Sequence, residues 1–395
     1  MWICPVCSGK EQSKYKCTQC GFDEREDFIK YRTVCSVSAE NFKKRQEQGA
    51  NAIVEKRYSD GEYTGTMKNG KKDGHGIFCW DDGERYEGGW KNDKKEGYGV
   101  FYWSNGDRYE GKWKNDDMNG QGTYHYTNGN RYEGNWVNGK KEGRGTFYWS
   151  GGDRYEGEWE NGDMNGQGTY YYASGERYEG GWKNDKKDGY GVFYWSNGER
   201  YEGTYKNGLR EGHGIQFYAS GNRYEGDWVN GKKEGRGTFY WSDGDRYEGE
   251  WKNDDMNGQG TYYYASGERY EGGWKNDKKD GYGVFYWSNG ERYEGTYKNG
   301  LREGHGIQFY ASGNRYEGDW VNGKKEGRGT FYWSDGDRYE GEWKNDDMNG
   351  QGTYYYASGE RYEGGWKNDK KEGYGVFYWS NGDRYEGEWK DGKRQ

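Results

Sequence analysis

Tyr86-Glu87-Gly88-Gly89-Trp90, a polar turn from Lys91 to Glu96, Gly97-Tyr98-Gly99-Val100-Phe101-Tyr102-Trp103, and the closing Ser104-Asn105-Gly106-Asp107-Arg108 make one 23-residue unit. Its first tyrosine recurs at 63, 109, 132, 155, 178, 201, 224, 247, 270, 293, 316, 339, 362 and 385, with no insertion anywhere. There are fourteen full units and a truncated fifteenth from Tyr385 to Gln395. Self-similarity at so short a period signals a stacked repeat architecture. A second period overlies the first, because residues 178–269 and 270–361 are identical over 92 positions. Copying of this kind adds nothing to a catalytic site, whereas it multiplies a ruler or a multivalent surface.

Each unit reads as a β-hairpin. Tyr86, Gly88 and Trp90 alternate with Arg85, Glu87 and Gly89, the period of two expected of a strand. Val100 to Trp103 is a β-branched and aromatic run suited to the second strand. Lys-Asn-Asp-Lys and Ser-Asn-Gly supply the turns, with residues that tolerate positive φ. Glycine weakens a strand unless something must approach its backbone. Aromatic rings from neighbouring strands are therefore expected over Gly88, Gly97 and Gly99. The product is an elongated, twisted, single-layer antiparallel sheet, roughly 130 Å long at the usual strand spacing.

Composition supports this and excludes ordinary globules. Hydrophobic residues are 30% of the chain and aromatic ones 20%, and Leu209 and Leu301 are its only leucines. A chain so poor in aliphatics cannot fill a two-layer core. Glycine, at 74 residues, sits regularly among tyrosine and tryptophan, unlike in disordered segments. Residues 1–57 carry 11 basic and 8 acidic side chains, the remainder 49 and 60. A repeat array with this acidic balance does not attract nucleic acid. No apolar run is long enough for a membrane helix. A cysteine pair stands where a signal peptide would be, so a cytoplasmic location is expected, with membrane or cytoskeletal association allowed.

The units resemble the membrane occupation and recognition nexus, or MORN, repeat: Tyr-Glu-Gly-x-Trp, then Gly-x-Gly, an aromatic stretch and a glycine turn. The likeness covers residues 63–395. Tyr63-Thr64-Gly65-Thr66-Met67 departs most from it, and the units at 201 and 293 carry Tyr where others carry Trp. The resemblance implies a single-layer sheet. In that family such arrays occur in junctophilins, some lipid kinases, SET-domain methyltransferases and parasite cytoskeletal scaffolds, with any catalysis in other domains.

Ahead of the array, Cys4, Cys7, Cys17 and Cys20 form two C-x2-C pairs. Paired spacings of this kind place four thiolates around one structural zinc ion, as in a short zinc ribbon. Two disulfides are the alternative in an oxidising compartment, and iron in the same thiolate set is a minor one. Cys35 and Cys79 do not extend the pattern and are expected to be buried small residues. The expected layout is a zinc-ribbon-like module at 1–35, a helical cap or linker at 36–57, and the array at 58–395. In the cap, Ser38 is the expected N-cap residue. Phe42, Ala50, Ile53 and Val54 are its apolar residues, and Gly49 is a possible break.

One layer of aromatics cannot cover both sheet faces. Val100 and Tyr102, with Val192, Tyr194, Val284, Tyr286, Val376 and Tyr378, are the candidate interaction surface. His75, His125, His213 and His305 occupy positions that other units fill with Tyr, Arg or Gln. They read as surface residues with no nucleophile motif beside them. Gly-x-Gly lies within a strand and fails as a phosphate loop. The Asn-Asp turns lack a calcium ligand set. The expected function is a non-enzymatic scaffold binding a protein partner or itself, with no small-molecule substrate and zinc as the sole cofactor. Peripheral binding to anionic lipid is the first alternative, and carbohydrate or cell-wall binding the second.

Overall fold

The computed structural model describes residues 2–3, 10–11, 36–44 and 52–395. The described residues are mainly β. From Val54–Arg57 to Lys393–Arg394 there are 31 strands in open antiparallel arrangement, with a single short helix at 36–44. The chain forms two compact units, residues 1–196 with 206–208, and residues 197–205 with 209–395. Each is a meander of the hairpins anticipated above.

The hairpin Arg85–Lys91 and Lys94–Tyr102 shows how the unit folds. Its turn residues Asn92 and Asp93 have φ of 49° and 70°. Two consecutive left-handed residues make the turn whose twist matches that of paired strands, which is why Asn and Asp occupy it. Past the turn the register shifts between Gly88 and Trp90. Gly97 there has φ of 78°, so it bends the strand at a bulge.

On one face, the Tyr86 ring lies flat over Gly88 of its own strand and Gly99 of the paired one. A Cβ added at Gly88 would sit 2.5 Å from the Tyr86 hydroxyl and 2.5 Å from the Gly99 Cα. The Tyr86 hydroxyl donates to the Gly89 carbonyl at 3.0 Å, and the ring is wholly buried. Trp90 and Trp113 meet it edge-on at 5.1 and 5.4 Å. The Trp113 indole then donates to the Gly99 carbonyl at 3.2 Å. The second unit repeats the arrangement with Tyr224 between Trp228 and Trp251 at 5.2 and 5.3 Å. Alternating tyrosine and tryptophan edges thus form the core, since edge-to-face rings add about 0.5–1.5 kcal/mol each beyond their buried area.

Two expectations need correction. Rings cover Gly88 and Gly99 but not Gly97, beside which an added Cβ would meet open space. Gly97 is required by its backbone angle instead. The helix expected across 36–57 is short, and Val54 lies in the strand Val54–Arg57. That strand pairs with Glu62–Gly65, whose outward backbone groups would otherwise form an open edge. Ser38 lies within the helix and not at its cap, and its hydroxyl accepts a hydrogen bond from Arg85. Phe42 is buried and meets His75 edge-on at 5.2 Å. Ile53 is half-buried beyond the helix, and Ala50 and Gly49 lie outside the described residues.

Gly88→Ala is expected to lower the local opening free energy of its hairpin by about 2 kcal/mol, because the Tyr86 ring has nowhere to move. Gly151→Ala, with open space at its Cβ and ordinary φ, should change stability by less than about 0.5 kcal/mol. Amide hydrogen exchange across Arg85–Tyr102 and around Gly151 separates the two outcomes.

Candidate binding face

The residues that alternate with the buried rings form the other face, ordered in rows that cross the strands. In the first row Arg131 pairs with Tyr148 and Tyr148 with Arg154. The guanidinium of Arg131 lies 4.2 Å from the Tyr148 ring centre, and that of Arg154 lies 4.2 Å from the Tyr171 ring. In the second row Glu133, Thr146, Glu156, Thr169 and Glu179 stand side by side. The rows are tied within each strand: Arg131 Nε meets Glu133 Oε1 at 3.0 Å and Arg154 Nε meets Glu156 Oε1 at 3.1 Å. The second unit carries the same lattice, with Arg246 at 4.2 Å from the Tyr263 ring and Arg246 Nε at 3.0 Å from Glu248 Oε1. A third row, nearest the turns, varies from unit to unit and includes the cross-strand neighbours Arg144 and Glu158.

The lattice encloses a shallow groove of about 620 Å³ in the first unit, between Gln121 and Gly180. Another, of about 810 Å³, lies in the second unit between His213 and Gly272. Both are floored by threonines and glycine backbone and walled by glutamates.

The residues expected to form the interaction surface all lie on this face and are half-buried. Val100 sits between Glu87 and Glu110, Val284 between Glu271 and Glu294, and Val376 between Glu363 and Glu386. Val192 is paired with Glu179. Each tyrosine carries an arginine over its ring: Tyr102 has Arg85 at 4.2 Å, while Tyr194, Tyr286 and Tyr378 have Arg177, Arg269 and Arg361 at 4.5 Å. The sequence reading passed over Tyr98, Tyr190, Tyr282 and Tyr374, which are 57–64% exposed. They share the strand alternation of Val100 and Tyr102, and that alternation was the signal to follow. The Tyr98 hydroxyl donates to Glu110 Oε1 at 2.7 Å.

His213 and His305 are exposed, each 3.5 Å from the carboxylate of Asp227 or Asp319. Among the described residues no group of three or more His, Cys, Asp or Glu side chains is placed to hold a metal ion. Cys4, Cys7, Cys17 and Cys20 lie outside the described residues, as does Cys35. Cys79 is half-buried and disulfide-bonded, which corrects its reading as a buried small residue. No helix among the described residues is long and apolar enough to cross a membrane.

The aromatic face also holds cations. Lys141 Nζ lies 3.8 Å from the Trp159 ring centre and 5.0 Å from that of Phe147. Lys279 Nζ lies 4.1 Å from Phe285. Burial among the rings pushes both ammonium groups down to about 8. In some units methionine fills the same place, as Met164 and Met256 do.

With this geometry the chain belongs to the MORN repeat family. The MORN repeat pattern matches in fifteen consecutive stretches, from residues 63–85 through 385–395. No curated protein sequence matches the chain. Solved structures similar to it include the SAS-4 (dCPAP) TCP domain of Drosophila melanogaster, in complex with a proline-rich motif of Ana2. It is 14% identical, covers 38% of this chain and 81% of that one, and has a TM-score of 0.26. A mutant TCP10 domain of Danio rerio CPAP is 10% identical over 55% of this chain and 97% of that one, also with a TM-score of 0.26. Likeness at this level carries no argument about function.

The buried lysines and tyrosines set the pH response. Between pH 8 and the ordinary lysine value of 10.5, the unfolded chain holds protons that folded Lys141 and Lys279 have released. Stability therefore rises with pH through that window. Burial raises Tyr132, Tyr155 and Tyr224 above the ordinary 10.0, so the unfolded chain ionises first and stability falls above pH 10. Urea midpoints measured against pH should peak between pH 9 and 10. Burial lowers Lys187 to about 8 in the same way and also lowers Lys72, Lys95, Lys233, Lys325 and Lys371. Lys141→Met with Lys187→Met and Lys279→Met should therefore reduce the rising limb and leave the fall intact.

Proposed function

We propose that the chain is a non-catalytic scaffold that holds an extended protein partner, or a second copy of itself, along the arginine–tyrosine–glutamate face. Repetition carries this reading. One hairpin after another offers the same row of arginines and the same row of glutamates, while the opposite face is taken up by its own tyrosine, tryptophan and phenylalanine packing. A ladder of equal, individually modest contacts gains affinity through multivalency, with no single deep pocket. Val100, Tyr102 and their equivalents, with the exposed Tyr98, Tyr190, Tyr282 and Tyr374, belong to this surface. The scaffold and lipid roles common to MORN repeats agree with it.

A second reading, contact with anionic lipid, has its own observation. At the hairpin turns Val137, Leu209, Val229, Leu301 and Val321 are 43–49% exposed. Lys206, Lys232, Lys298 and Lys324 share several of these turns. Apolar side chains among lysines suit a headgroup surface. The nearby aspartates and the acidic balance of the array favour the scaffold. A cytoplasmic location belongs to the same proposal, as does one structural zinc at Cys4, Cys7, Cys17 and Cys20. The zinc is supported by spacing alone, and elemental analysis of the purified chain should find one equivalent, lost in Cys4→Ser with Cys7→Ser.

A variant carrying Thr146→Lys, Thr169→Lys, Thr238→Lys and Thr261→Lys places bulky cations on the face without touching the aromatic core. Sedimentation velocity and affinity capture should show self-association or a retained partner for the wild type, lost in the variant at unchanged thermal stability. A wild type that stays monomeric and retains nothing removes the scaffold reading. Salt-sensitive co-sedimentation with phosphatidylserine vesicles, unaffected by the four lysines, moves the function to the turns and to lipid.

A further inference from the structure

The two grooves share features that narrow what an extended partner can be. Each runs across the strands, so its period is that of a hairpin, two strands or about 9.6 Å. A polyproline-II helix advances about 9.3 Å per three-residue turn and stays in step. Two turns of α-helix cover about 10.8 Å, which slips by more than 3 Å over three hairpins. A β-strand covers about 10 Å in three residues, but its side chains then point the opposite way at each successive hairpin.

The lining also has a charge. In the first unit the groove carries Glu133, Glu156, Glu158 and Glu179 against Arg144. In the second it carries Glu225, Glu248, Glu250 and Glu271 against Arg236. Own-strand arginines meet Glu133, Glu156, Glu179, Glu248 and Glu271 through Oε1, and these side chains stay 42–44% exposed to a ligand. The adjoining row supplies one arginine-stacked tyrosine ring per hairpin, whose uncovered edges are the apolar contact it offers to proline rings. A polyproline-II backbone makes no internal hydrogen bonds, and the threonine hydroxyls are there to donate to its carbonyls.

We propose that each groove binds a proline-rich peptide in the polyproline-II conformation, laid across the strands at three residues per hairpin, with a lysine or arginine at every third position facing the glutamate row. The inference rests on the scaffold reading and specifies the chemistry of its partner.

The test uses the full chain and three fluorescein-labelled fifteen-residue peptides, (Pro-Pro-Arg)5, (Gly-Gly-Arg)5 and (Pro-Pro-Glu)5, with binding read by anisotropy at physiological salt. The first should bind, the second at least tenfold more weakly, and the third not at all. Glu156→Gln with Glu179→Gln, Glu248→Gln and Glu271→Gln should weaken the first at least fivefold at unchanged circular dichroism. Equal binding of the glycine and proline peptides would reduce the groove to a patch of charge and overturn the proposal, as would no binding of the arginine–proline peptide. If that peptide fails while the wild type still retains a partner that the four-lysine variant loses, the scaffold reading stands and only the ligand class is wrong. If both fail, both fall.

Discussion

Everything in the array depends on a tyrosine ring lying flat on two glycines. Tyr86 over Gly88 and Gly99 is one case, and Tyr224 over Gly226 and Gly237 another. The contact explains a composition that is otherwise puzzling, with 74 glycines in a chain made of strands. Glycine costs strand stability, yet here its missing side chain is the seat of the ring. With the ring seated, its hydroxyl reaches the carbonyl one residue past the glycine of its own strand, and its edges receive two tryptophans. The core is one ring deep and needs no aliphatic filling.

That economy divides the labour between faces. The aromatic face is saturated with its own contacts, down to lysines such as Lys141 held over tryptophan. The other face is tied by arginine–tyrosine stacking and arginine–glutamate pairs, which are polar and open to solvent. Surface ion pairs contribute little stability each. Their regularity matters more here than their energy, because it gives each hairpin its arginine–glutamate pair at the same place.

Much of this was legible in the residues. The period, the hairpin and its turns follow from spacing and from the few residues that accept positive φ. The choice of strand face followed from alternation of Tyr86, Gly88 and Trp90 against Arg85 and Glu87. Other features were hidden for physical reasons. Gly97 looks like Gly99 in sequence, and only the bulge separates a glycine needed for its φ from one needed for its missing side chain. Val54 looked helical because it follows the apolar positions Phe42, Ala50 and Ile53 in sequence, and an unpaired strand edge claimed it instead. Tyr102 looked like an exposed aromatic, but Arg85 covers its ring, whereas Tyr98, closer to the turn, stands clear. Side-chain partners drawn from another strand leave no mark in a local pattern.

The links between successive hairpins have a further consequence. Asp116 accepts from the Lys95 amide across 21 residues, Asp107 from the Thr127 amide across 20, and Trp113 donates across 14. Each of these spans is shorter than one unit. A hairpin therefore registers its immediate neighbours and nothing further along the chain. Excision or duplication of 23 residues preserves the strand register and the tyrosine–glycine seats, and a 92-residue step also rejoins like to like in the variable row. To recombination such an array is ruled paper that can be cut at any line, and its length is a heritable quantity that drift or selection can change in whole steps without first passing through a misfolded ancestor.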